Sequence, residues 1–474
     1  MNDPNGLVFF AGSWHLFYQC YEPEMVDGMQ WGHAISEDLL HWQHLPVAIP
    51  PDGLGHIWSG SAVVDIHDSS GLFAGRPGMA CLFTYWDPAD HRQCQGMATS
   101  RDGLTFTPFA GNPVIPQLRH IPGQSDDKDF RDPKVFWHTP TLRWVMVVAG
   151  GKLRFFSSAD LIDWRFESVA DNLDTECPDL FELPVDYQPD KRMWVLSGGG
   201  KWYQLGHFDG RKFSPQGPRH VMHYGPDAYA TQTFSNAPDG RRIGISWLFS
   251  WAYGCGAYAG RIKNCFPTGP IAGSCMTVPV EYSLQSTPEG VRLLQHPVRE
   301  LDLSGRELLN VESTEIAPGT TNPLHEIVGK QLEVRLRLIP RGTPGRLCLR
   351  LPAQGQPSCT VGYDASRKEV FIDRRDSGFA NVPSYAALFS APVEPGRDGS
   401  IELRFVIDRC SVEIFAGENT AAMAGFILPD PQHDGLSMNA ENGCFDLRDL
   451  RVKTISNLMK VVKRGGKKTR EYIK

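Results

Sequence analysis

The sequence predicts an all-β protein in which a β-propeller is followed by a β-sandwich. The N-terminal half alternates short apolar segments with Gly, Pro and Asp, and it shows no convincing helical periodicity. A motif recurs at long, similar intervals through this half, and strictly alternating strands follow in the C-terminal part. With 47 Gly and 36 Pro among 474 residues, many short strands joined by tight turns are expected.

The recurring motif is a strand that runs into Ser-x-Asp, with an aromatic residue four positions after the Asp. Three copies are clear, and a fourth is weaker because it lacks the Ser. The Asp and aromatic pairs are Asp38 and Trp42, Asp102 and Phe106, Asp160 and Trp164, and Asp209 and Phe213. Successive Asp residues are 64, 58 and 49 positions apart. Repeats of roughly this spacing in an all-β chain are typical of propeller blades. We expect each Asp to accept backbone N–H groups of its turn, and each aromatic ring to pack between blades.

Strands of a different kind begin at about residue 301. Segments 332–338, 401–407 and 411–417 alternate apolar and polar side chains, which indicates one buried and one wet face. The predicted organisation is a propeller over 1–295, a sandwich over 296–455 and a basic tail over 456–474.

Charge and composition exclude several classes of partner. The net charge is −7, and the basic residues concentrate in the tail, so the body is acidic and nucleic acid is not expected as a ligand. No apolar run reaches the roughly 18 residues that a membrane-spanning helix needs. The eleven cysteines include no Cys-x-x-Cys pair, so no zinc site or disulfide framework is predicted. The first ten residues lack signal-peptide features, which favours a cytoplasmic location; the alternative is a secreted protein whose N-terminal segment has been removed.

Three short polar segments stand where propeller strands begin and could supply carboxylates to a central site. They are Asn2-Asp3-Pro4-Asn5-Gly6, Phe130-Arg131-Asp132-Pro133 and Glu176-Cys177-Pro178-Asp179-Leu180-Phe181. Taken singly, each has an ordinary explanation as a turn, a surface ion pair or a solvated acid.

Taken together and in this order, the three segments resemble the signature motifs of glycoside hydrolase family 32, which contains invertases, levanases and inulinases. The similarity extends to further segments at 17–19, 31–34, 58–62, 227–230, 244–247 and 276–279. The resemblance implies a five-bladed propeller, one blade more than the repeat reveals, followed by a β-sandwich.

The resemblance also implies a chemistry, namely release of a terminal β-linked fructosyl unit with retention of configuration. Such a reaction needs two carboxyl groups about 5–5.5 Å apart. By resemblance Asp3 is the nucleophile, Glu176 the acid/base and Asp132 the stabiliser of the transition state. The residues expected to bind the sugar are Asn2, Gln19, Trp31, Trp58, Ser59, Trp86, Arg131 and Trp251. No metal and no organic cofactor is implied.

Several functions remain open at this point. A fructosyltransferase would use the same three acids, and a sucrose-6-phosphate hydrolase would share the scaffold. A carbohydrate-binding propeller without catalysis is disfavoured because all three acids are present, and inverting arabinanase-type propellers do not share these motifs. Segment 247–253 is more similar to levanases and inulinases than to sucrose-6-phosphate hydrolases. The expected partner is therefore a fructose-containing oligo- or polysaccharide, with levan, inulin, short fructans and sucrose as candidates.

Overall fold

The computed structural model describes residues 1–21, 28–116, 129–170, 172–254, 274–355, 357–378, 382–429 and 433–455. The predicted basic tail lies outside these residues. The described chain is built almost wholly from β-strands, which confirms the predicted fold class. Its helical segments are short: α1 (Trp251–Gly254), α2 (Arg299–Asp302) and 3₁₀ turns at Thr139–Thr141 and Pro238–Gly240.

Four antiparallel groups of four strands each follow one another along the N-terminal half. The first three are separate sheets, and the fourth is joined to the strands that follow it by one parallel pair, Val185 with Leu284. The first contains β1 (Pro4–Phe10), β2 (Ser13–Tyr21), β3 (Met29–Ser36) and β4 (Trp42–Ile49). The second contains β5 (His56–Asp65), β6 (Gly78–Trp86), β7 (Gln93–Ser100) and β8 (Thr107–Pro108). The third contains β9 (Arg131–His138), β10 (Arg143–Ala149), β11 (Leu153–Ser158) and β12 (Trp164–Ala170). The fourth contains β13 (Pro178–Val185), β14 (Gln188–Gly198), β15 (Trp202–Phe208) and β16 (Phe213–Val221).

A fifth group of strands brings the chain back to the first sheet. It comprises β17 (Tyr229–Thr233), β18 (Ile243–Leu248), β19 (Cys275–Met276), β20 (Val280–Thr287) and β21 (Gly290–Pro297). Just after β17, Ser235 accepts a hydrogen bond from the Phe9 N–H of β1 at 3.0 Å and donates to the Leu7 carbonyl at 2.8 Å. The first strands of the five groups contact one another in the order β1, β5, β9, β13, β17, and β17 contacts β1 again. Five blades therefore surround a common axis.

The recurring aspartates cap the hairpin between the third and fourth strands of each of the first four blades. Each Asp Oδ1 accepts the N–H groups two and three residues further on, at 2.7 to 3.0 Å. The aromatic partners Trp42, Phe106, Trp164 and Phe213 belong to the apolar clusters that fill the spaces between neighbouring blades. Both predictions made for the repeat are confirmed.

The fifth blade uses a different turn, which explains why the repeat is found only four times. Its last hairpin joins β20 to β21 through 288–289, where the Thr287 hydroxyl accepts the Glu289 N–H at 3.2 Å and donates to the Gly290 carbonyl at 2.8 Å. This shorter hairpin contains neither the Asp cap nor the aromatic residue four positions later.

The C-terminal part forms two antiparallel sheets, of six and five strands, that face each other across a separate apolar core. The larger is ordered β22 (Glu307–Ile316), β32 (Cys444–Thr454), β23 (Leu332–Arg341), β28 (Ile401–Asp408), β29 (Ser411–Ala416) and β30 (Ala421–Phe426). The smaller is ordered β27 (Leu388–Pro392), β26 (Glu369–Asp373), β25 (Cys359–Asp364), β24 (Arg346–Leu351) and β31 (Ser437–Glu441).

The sandwich is joined to the propeller by buried polar contacts as well as by apolar packing. The Glu413 carboxylate on β29 accepts the Val278 N–H at 3.1 Å through both oxygens. Arg374 of the sandwich donates to Asp227 of the propeller at 2.6 Å, and both side chains are fully buried. One apolar cluster contains side chains of both units. The predicted boundary at 295/296 falls inside β21, whose last residue is Pro297, and the domain limits stay a prediction.

Within the described residues, no helix has the length and apolarity that crossing a membrane requires.

We expect a chain ending at residue 297 to be insoluble or inactive, because it would expose the apolar interface and leave the Asp227 carboxylate without Arg374. Sedimentation after expression and an activity assay of the soluble fraction would measure this. A soluble truncated chain with full activity would contradict the expectation, and the full chain prepared in parallel is the control.

Candidate active site

Five side chains meet at one end of the propeller axis, where the inner strand of each blade begins. Asp3 precedes β1, Ser59 lies near the start of β5, Asp132 is the second residue of β9, Cys177 precedes β13, and Tyr229 opens β17. The same structural position in five blades therefore supplies one site. As predicted, the carboxylates of the three motifs come together here.

The Asp3 carboxylate is held by three donors from three parts of the chain. Ser59 Oγ donates to Asp3 Oδ2 at 2.8 Å, Asn2 Nδ2 donates to Oδ1 at 3.2 Å, and the Cys177 sulfur lies 3.5 Å from Oδ2. Burial raises the pKa of Asp3, and the nearby Glu176 charge adds to this, while the three hydrogen bonds oppose it.

Gly6 lies in β1 three residues after Asp3, where the pairing with β2 shifts register between Asn5 and Val8. Its φ is +53°, and a Cβ there would lie 2.6 Å from Phe17 and 2.9 Å from Trp31. An L-residue would therefore be strained and would collide with two buried rings. Gly6, the last residue of the first motif, is therefore required by the packing of Phe17 and Trp31 beneath the site.

Asp132 is almost completely buried and adopts the left-handed backbone conformation, with φ of +61°. Its Oδ2 accepts the Cys177 N–H at 3.0 Å, and its own N–H donates to Thr84 Oγ1 at 3.0 Å. Burial and the negative charge of Asp3 raise the pKa of Asp132 to about 7, although Cys177 N–H and Arg131 act in the opposite direction.

Cys177 lies between the two aspartates. Its sulfur is 3.5 Å from Asp3 Oδ2 and 3.6 Å from Asp132 Oδ2. Burial and the neighbouring carboxylates raise the pKa of this thiol well above its usual value, so the sulfur stays protonated. A neutral thiol at this position separates two like charges without adding a third.

Glu176 is held from two sides at the mouth of the site. Arg131 Nη2 donates to Glu176 Oε1 at 2.9 Å, and Tyr229 Oη donates to Oε2 at 2.6 Å. Burial and this hydrogen bond raise the pKa of Tyr229, so its hydroxyl remains a donor. Arg131 also pairs with Asp129 at 2.7 Å, and its Nε lies 3.9 Å from Asp132.

A second polar layer lies two residues further along the inner strands and ties them to one another. Ser61 Oγ donates to the Pro133 carbonyl at 2.8 Å. Lys134 Nζ donates to Asp179 Oδ2 at 3.0 Å and to the Thr233 carbonyl at 2.8 Å, and both charged groups are buried. The carboxylates above this layer are consequently fixed relative to one another.

The remaining residues predicted to bind the sugar fall into distinct settings. Trp58 and Trp86 stack in parallel with centroids 5.1 Å apart, and both are half-buried. Trp31 is fully buried and donates from Nε1 to the Trp58 carbonyl at 3.0 Å, so its indole positions β5. Gln19 is buried beside Asp3, and its Nε2 has no hydrogen-bond partner within the described residues.

Trp251 lies apart from this cluster. It is on α1, its side chain is 57% exposed, and its ring packs on Trp247 with centroids 4.7 Å apart. No hydrogen bond or ring contact in the described part of the chain links it to the three acids, and its sugar-binding role stays a prediction.

Two residues of the site were not singled out from the sequence. Cys177 lies in the third motif, and Tyr229 lies in the Asp-Ala-Tyr-Ala segment of the resemblance, which was the available signal for it. The positions of Cys177 and Tyr229 in the sequence do not indicate that they contact carboxylates, because their partners lie on other blades, far away in the sequence.

Among the described residues, no group of three or more His, Cys, Asp or Glu side chains is arranged to hold a metal ion. The functional groups present are three carboxyls, a guanidinium, a phenol and indole rings at the mouth of a propeller. Carboxyls that can attack, protonate and stabilise, together with aromatic and hydroxyl-binding groups, define the site of a glycosidase.

Comparison with known proteins identifies the family. The model of the glycosyl hydrolases family 32 N-terminal domain matches residues 1–297, and that of the family 32 C-terminal domain matches residues 303–455. The chain belongs to glycosyl hydrolase family 32, which confirms the resemblance.

Similar proteins are known in bacteria and fungi. A levanase of Bacillus subtilis (strain 168) is 36% identical, over 97% of this chain and 69% of its own length. A levanase of Bacillus sp. (strain L7) is 34% identical over 96% of this chain, which spans about half of that relative (51%). An extracellular exo-inulinase of Aspergillus awamori is 30% identical over 90% of this chain and 87% of its own length.

Solved structures share the whole architecture. The crystal structure of the Aspergillus awamori exo-inulinase superposes with a TM-score of 0.84 at 29% identity, covering 97% of this chain and 96% of the other. A Schwanniomyces occidentalis fructofuranosidase complexed with fructosylnystose gives a TM-score of 0.77 at 26% identity, covering 96% and 95%.

The raised pKa of Asp132 has a consequence for stability. Ionising Asp132 in the folded state lowers the free energy of unfolding, because its pKa there is about 7 and in the unfolded chain near 4. Below pH 4 Asp132 is protonated in both states and stability is not reduced. The reduction grows between pH 4 and pH 7 and is complete above about pH 7. We expect Asp132→Asn to raise the free energy of unfolding by about 4 kcal/mol above pH 7 and to lose this gain below pH 4. Denaturant unfolding across this pH range would measure the difference.

Asp160→Asn is the control for that measurement, because Asp160 caps a hairpin far from the site and its pKa is lowered by backbone N–H donors. A stability gain of Asp132→Asn that does not change with pH would show that burial of the Asp132 charge is not its cause.

Proposed function

We propose that this protein is a fructan β-fructosidase that releases terminal fructosyl units through a covalent intermediate, with Asp3 as nucleophile. The observation that carries the proposal is the convergence of Asp3, Asp132 and Glu176 at one end of the propeller axis, joined through Cys177 and Arg131. This arrangement offers one half-buried carboxylate for attack, Asp3, and one half-buried carboxyl at the mouth for proton transfer, Glu176.

In the first step an Asp3 oxygen attacks the anomeric carbon of the fructosyl unit. Oδ2 is engaged by Ser59 and lies near Cys177, whereas Oδ1 has only the longer bond from Asn2, so Oδ1 is the oxygen positioned to attack. Glu176 donates its proton to the glycosidic oxygen as that bond breaks. The products are a fructosyl ester on Asp3 and the shortened chain.

In the second step a water molecule attacks the same carbon while Glu176 accepts one of its protons. The ester bond to Asp3 breaks, and fructose leaves with retained configuration. Asp132 accepts hydrogen bonds from sugar hydroxyls and offsets the positive charge that develops on the ring. Gln19 contributes a buried N–H donor, and the stacked indoles of Trp58 and Trp86 provide an apolar wall.

The substrate class follows from the relatives. Levanases and exo-inulinases are among the similar proteins, which supports hydrolysis of fructans rather than transfer to another sugar. Sucrose 6-phosphate is disfavoured because Arg131, the guanidinium at the described site, is already paired with Asp129 and Glu176. The exo-inulinase relatives are extracellular by name, which favours the secreted alternative over the cytoplasmic location.

We expect incubation with levan or inulin to yield free fructose as the main product. Quantifying sugars released from levan, inulin, sucrose and sucrose 6-phosphate would test this. Oligosaccharides larger than the substrate would instead identify a fructosyltransferase, and release from sucrose 6-phosphate alone would identify a phosphosugar hydrolase.

Asp3→Ala and Glu176→Ala should each lower kcat/KM on fructans by at least a thousandfold while the fold is retained. Fructosyl fluoride needs little protonation on departure, so Glu176→Ala should still form the covalent intermediate from it, and Asp3→Ala should not. Glu182→Ala is a matched control, because this carboxylate lies further along β13 and pairs with Arg192. A Glu176→Ala variant that is as impaired on the fluoride as on levan would exclude the acid role.

A further inference from the structure

The segment that leads into Tyr229 is docked on the sandwich. The Tyr224 N–H donates to the Ala422 carbonyl at 3.0 Å, and the Asp227 N–H donates to the Ala424 carbonyl at 3.2 Å. Gly225 lies so close to β30 that a Cβ there would be 2.3 Å from the Ala424 nitrogen. This propeller segment therefore takes its position from an edge strand of the other unit.

A buried ion pair fixes the end of this segment. Arg374 Nη1 donates to Asp227 Oδ2 at 2.6 Å, to the Phe426 carbonyl at 3.0 Å and to Tyr253 Oη at 3.2 Å. The same Asp227 oxygen accepts the Phe426 N–H at 2.8 Å. The guanidinium also lies 4.1 Å from the ring centroid of Tyr385.

Two connections run from this segment to Glu176. Tyr229, two residues after Asp227, donates to the Glu176 carboxylate at 2.6 Å. The Ala230 N–H donates to the Gly199 carbonyl at 2.9 Å, and the Gly199 N–H donates to the Glu176 carbonyl at 2.9 Å. The Glu176 carboxylate is therefore bonded directly to Tyr229, and the Glu176 main chain is linked to Ala230 through Gly199. Tyr229 and Ala230 follow Asp227 by two and three residues.

We propose that Arg374 and Asp227 are positioning residues for acid/base catalysis, through which the sandwich sets the orientation of Tyr229 and thereby of Glu176. The proposal rests on the acid/base role proposed for Glu176.

Directional contacts fix this segment more tightly than apolar packing can. Apolar packing would hold the two units together but would leave the segment free to slide, whereas hydrogen bonds from a planar guanidinium and from Phe426 N–H fix the Asp227 carboxylate in angle and distance. Since a misplacement of about 1 Å in a reacting group can cost a hundredfold in rate, a rigid attachment so close to Tyr229 affects proton transfer.

The test is a double-mutant cycle between Asp227→Asn and Tyr229→Phe in the full chain, read as kcat/KM on levan and on fructosyl fluoride. Tyr229→Phe removes the hydrogen bond to Glu176 and should lower kcat/KM on levan about ten- to a hundredfold, with a much smaller loss on the fluoride. Asp227→Asn should lower kcat/KM on levan about tenfold, again with a much smaller loss on the fluoride. Because Asp227→Asn acts in part through the hydrogen bond that Tyr229→Phe removes, the two losses should not multiply, and the double variant should lose clearly less activity than the product of the two single losses.

Glu413→Gln is the matched control. Glu413 is a buried carboxylate of the sandwich that bonds the propeller main chain at Val278. Its substitution should leave the ratio of levan to fluoride activity unchanged. Losses that multiply in the double variant, or that are equal on the two substrates, would overturn the proposal, as would the same change of ratio in Glu413→Gln.

Arg374→Lys keeps the charge pair and alters its geometry, so it replaces Asp227→Asn in the cycle if that variant does not fold. Failure of both variants to fold would assign the pair to stability and would overturn the positioning role. Glu176→Ala separates the two hypotheses: if it shows no preference for the fluoride, the proposed function fails. If it does and Asp227→Asn does not, only the present inference fails.

Discussion

The structure depends on keeping carboxylates of like charge together in a partly buried space. Asp3 and Asp132 lie on either side of the Cys177 sulfur, and the pKa values of both are raised, chiefly by burial. Such an arrangement is stable only when donors are fixed around each group, because an unpaired buried charge costs several kcal/mol. Two donors come from other blades, Ser59 from β5 and the Cys177 N–H from the residue before β13. Arg131 comes from β9, the strand that carries Asp132 itself.

The propeller meets this requirement because its inner strands begin at the same end of one axis. Side chains two residues apart on each strand point the same way, so a second polar layer lies beneath the first. In that layer Lys134 joins Asp179 to the Thr233 carbonyl across three blades, and Ser61 joins β5 to β9. Closure of the ring through Ser235 then fixes the first strand, which carries Asp3, against the last.

The sandwich belongs to the same system of constraints. Its edge strand β30 supports the main chain that leads into Tyr229, and its Arg374 supplies the counter-charge for Asp227. Asp3 lies at the start of the propeller sequence and Glu176 is held by Tyr229 near its end, so the distance between the two carboxylates is sensitive to any loosening of the blades. Among the described residues, the C-terminal unit is therefore linked to the site through the segment before Tyr229 and not by a hydrogen bond to one of the three acids.

The three acids were indicated by the order of three motifs that resemble those of a known family, whereas the sequence by itself determined the fold class and the blade repeat. Local chemistry was sufficient there: the Asp caps at 38, 102, 160 and 209 each satisfy N–H groups two and three residues away, and this leaves a readable spacing. The repeat is absent from the fifth blade because its hairpin through 288–289 is closed by a different turn. Only the tertiary structure decided that Tyr229 binds Glu176, that Cys177 lies between two aspartates, that Trp31 is a buried support rather than an exposed wall, and that Arg374 pairs with Asp227. These contacts join residues from 27 to 174 positions apart, and no local pattern records them, because their partners are chosen by the closure of the blades and the docking of the sandwich.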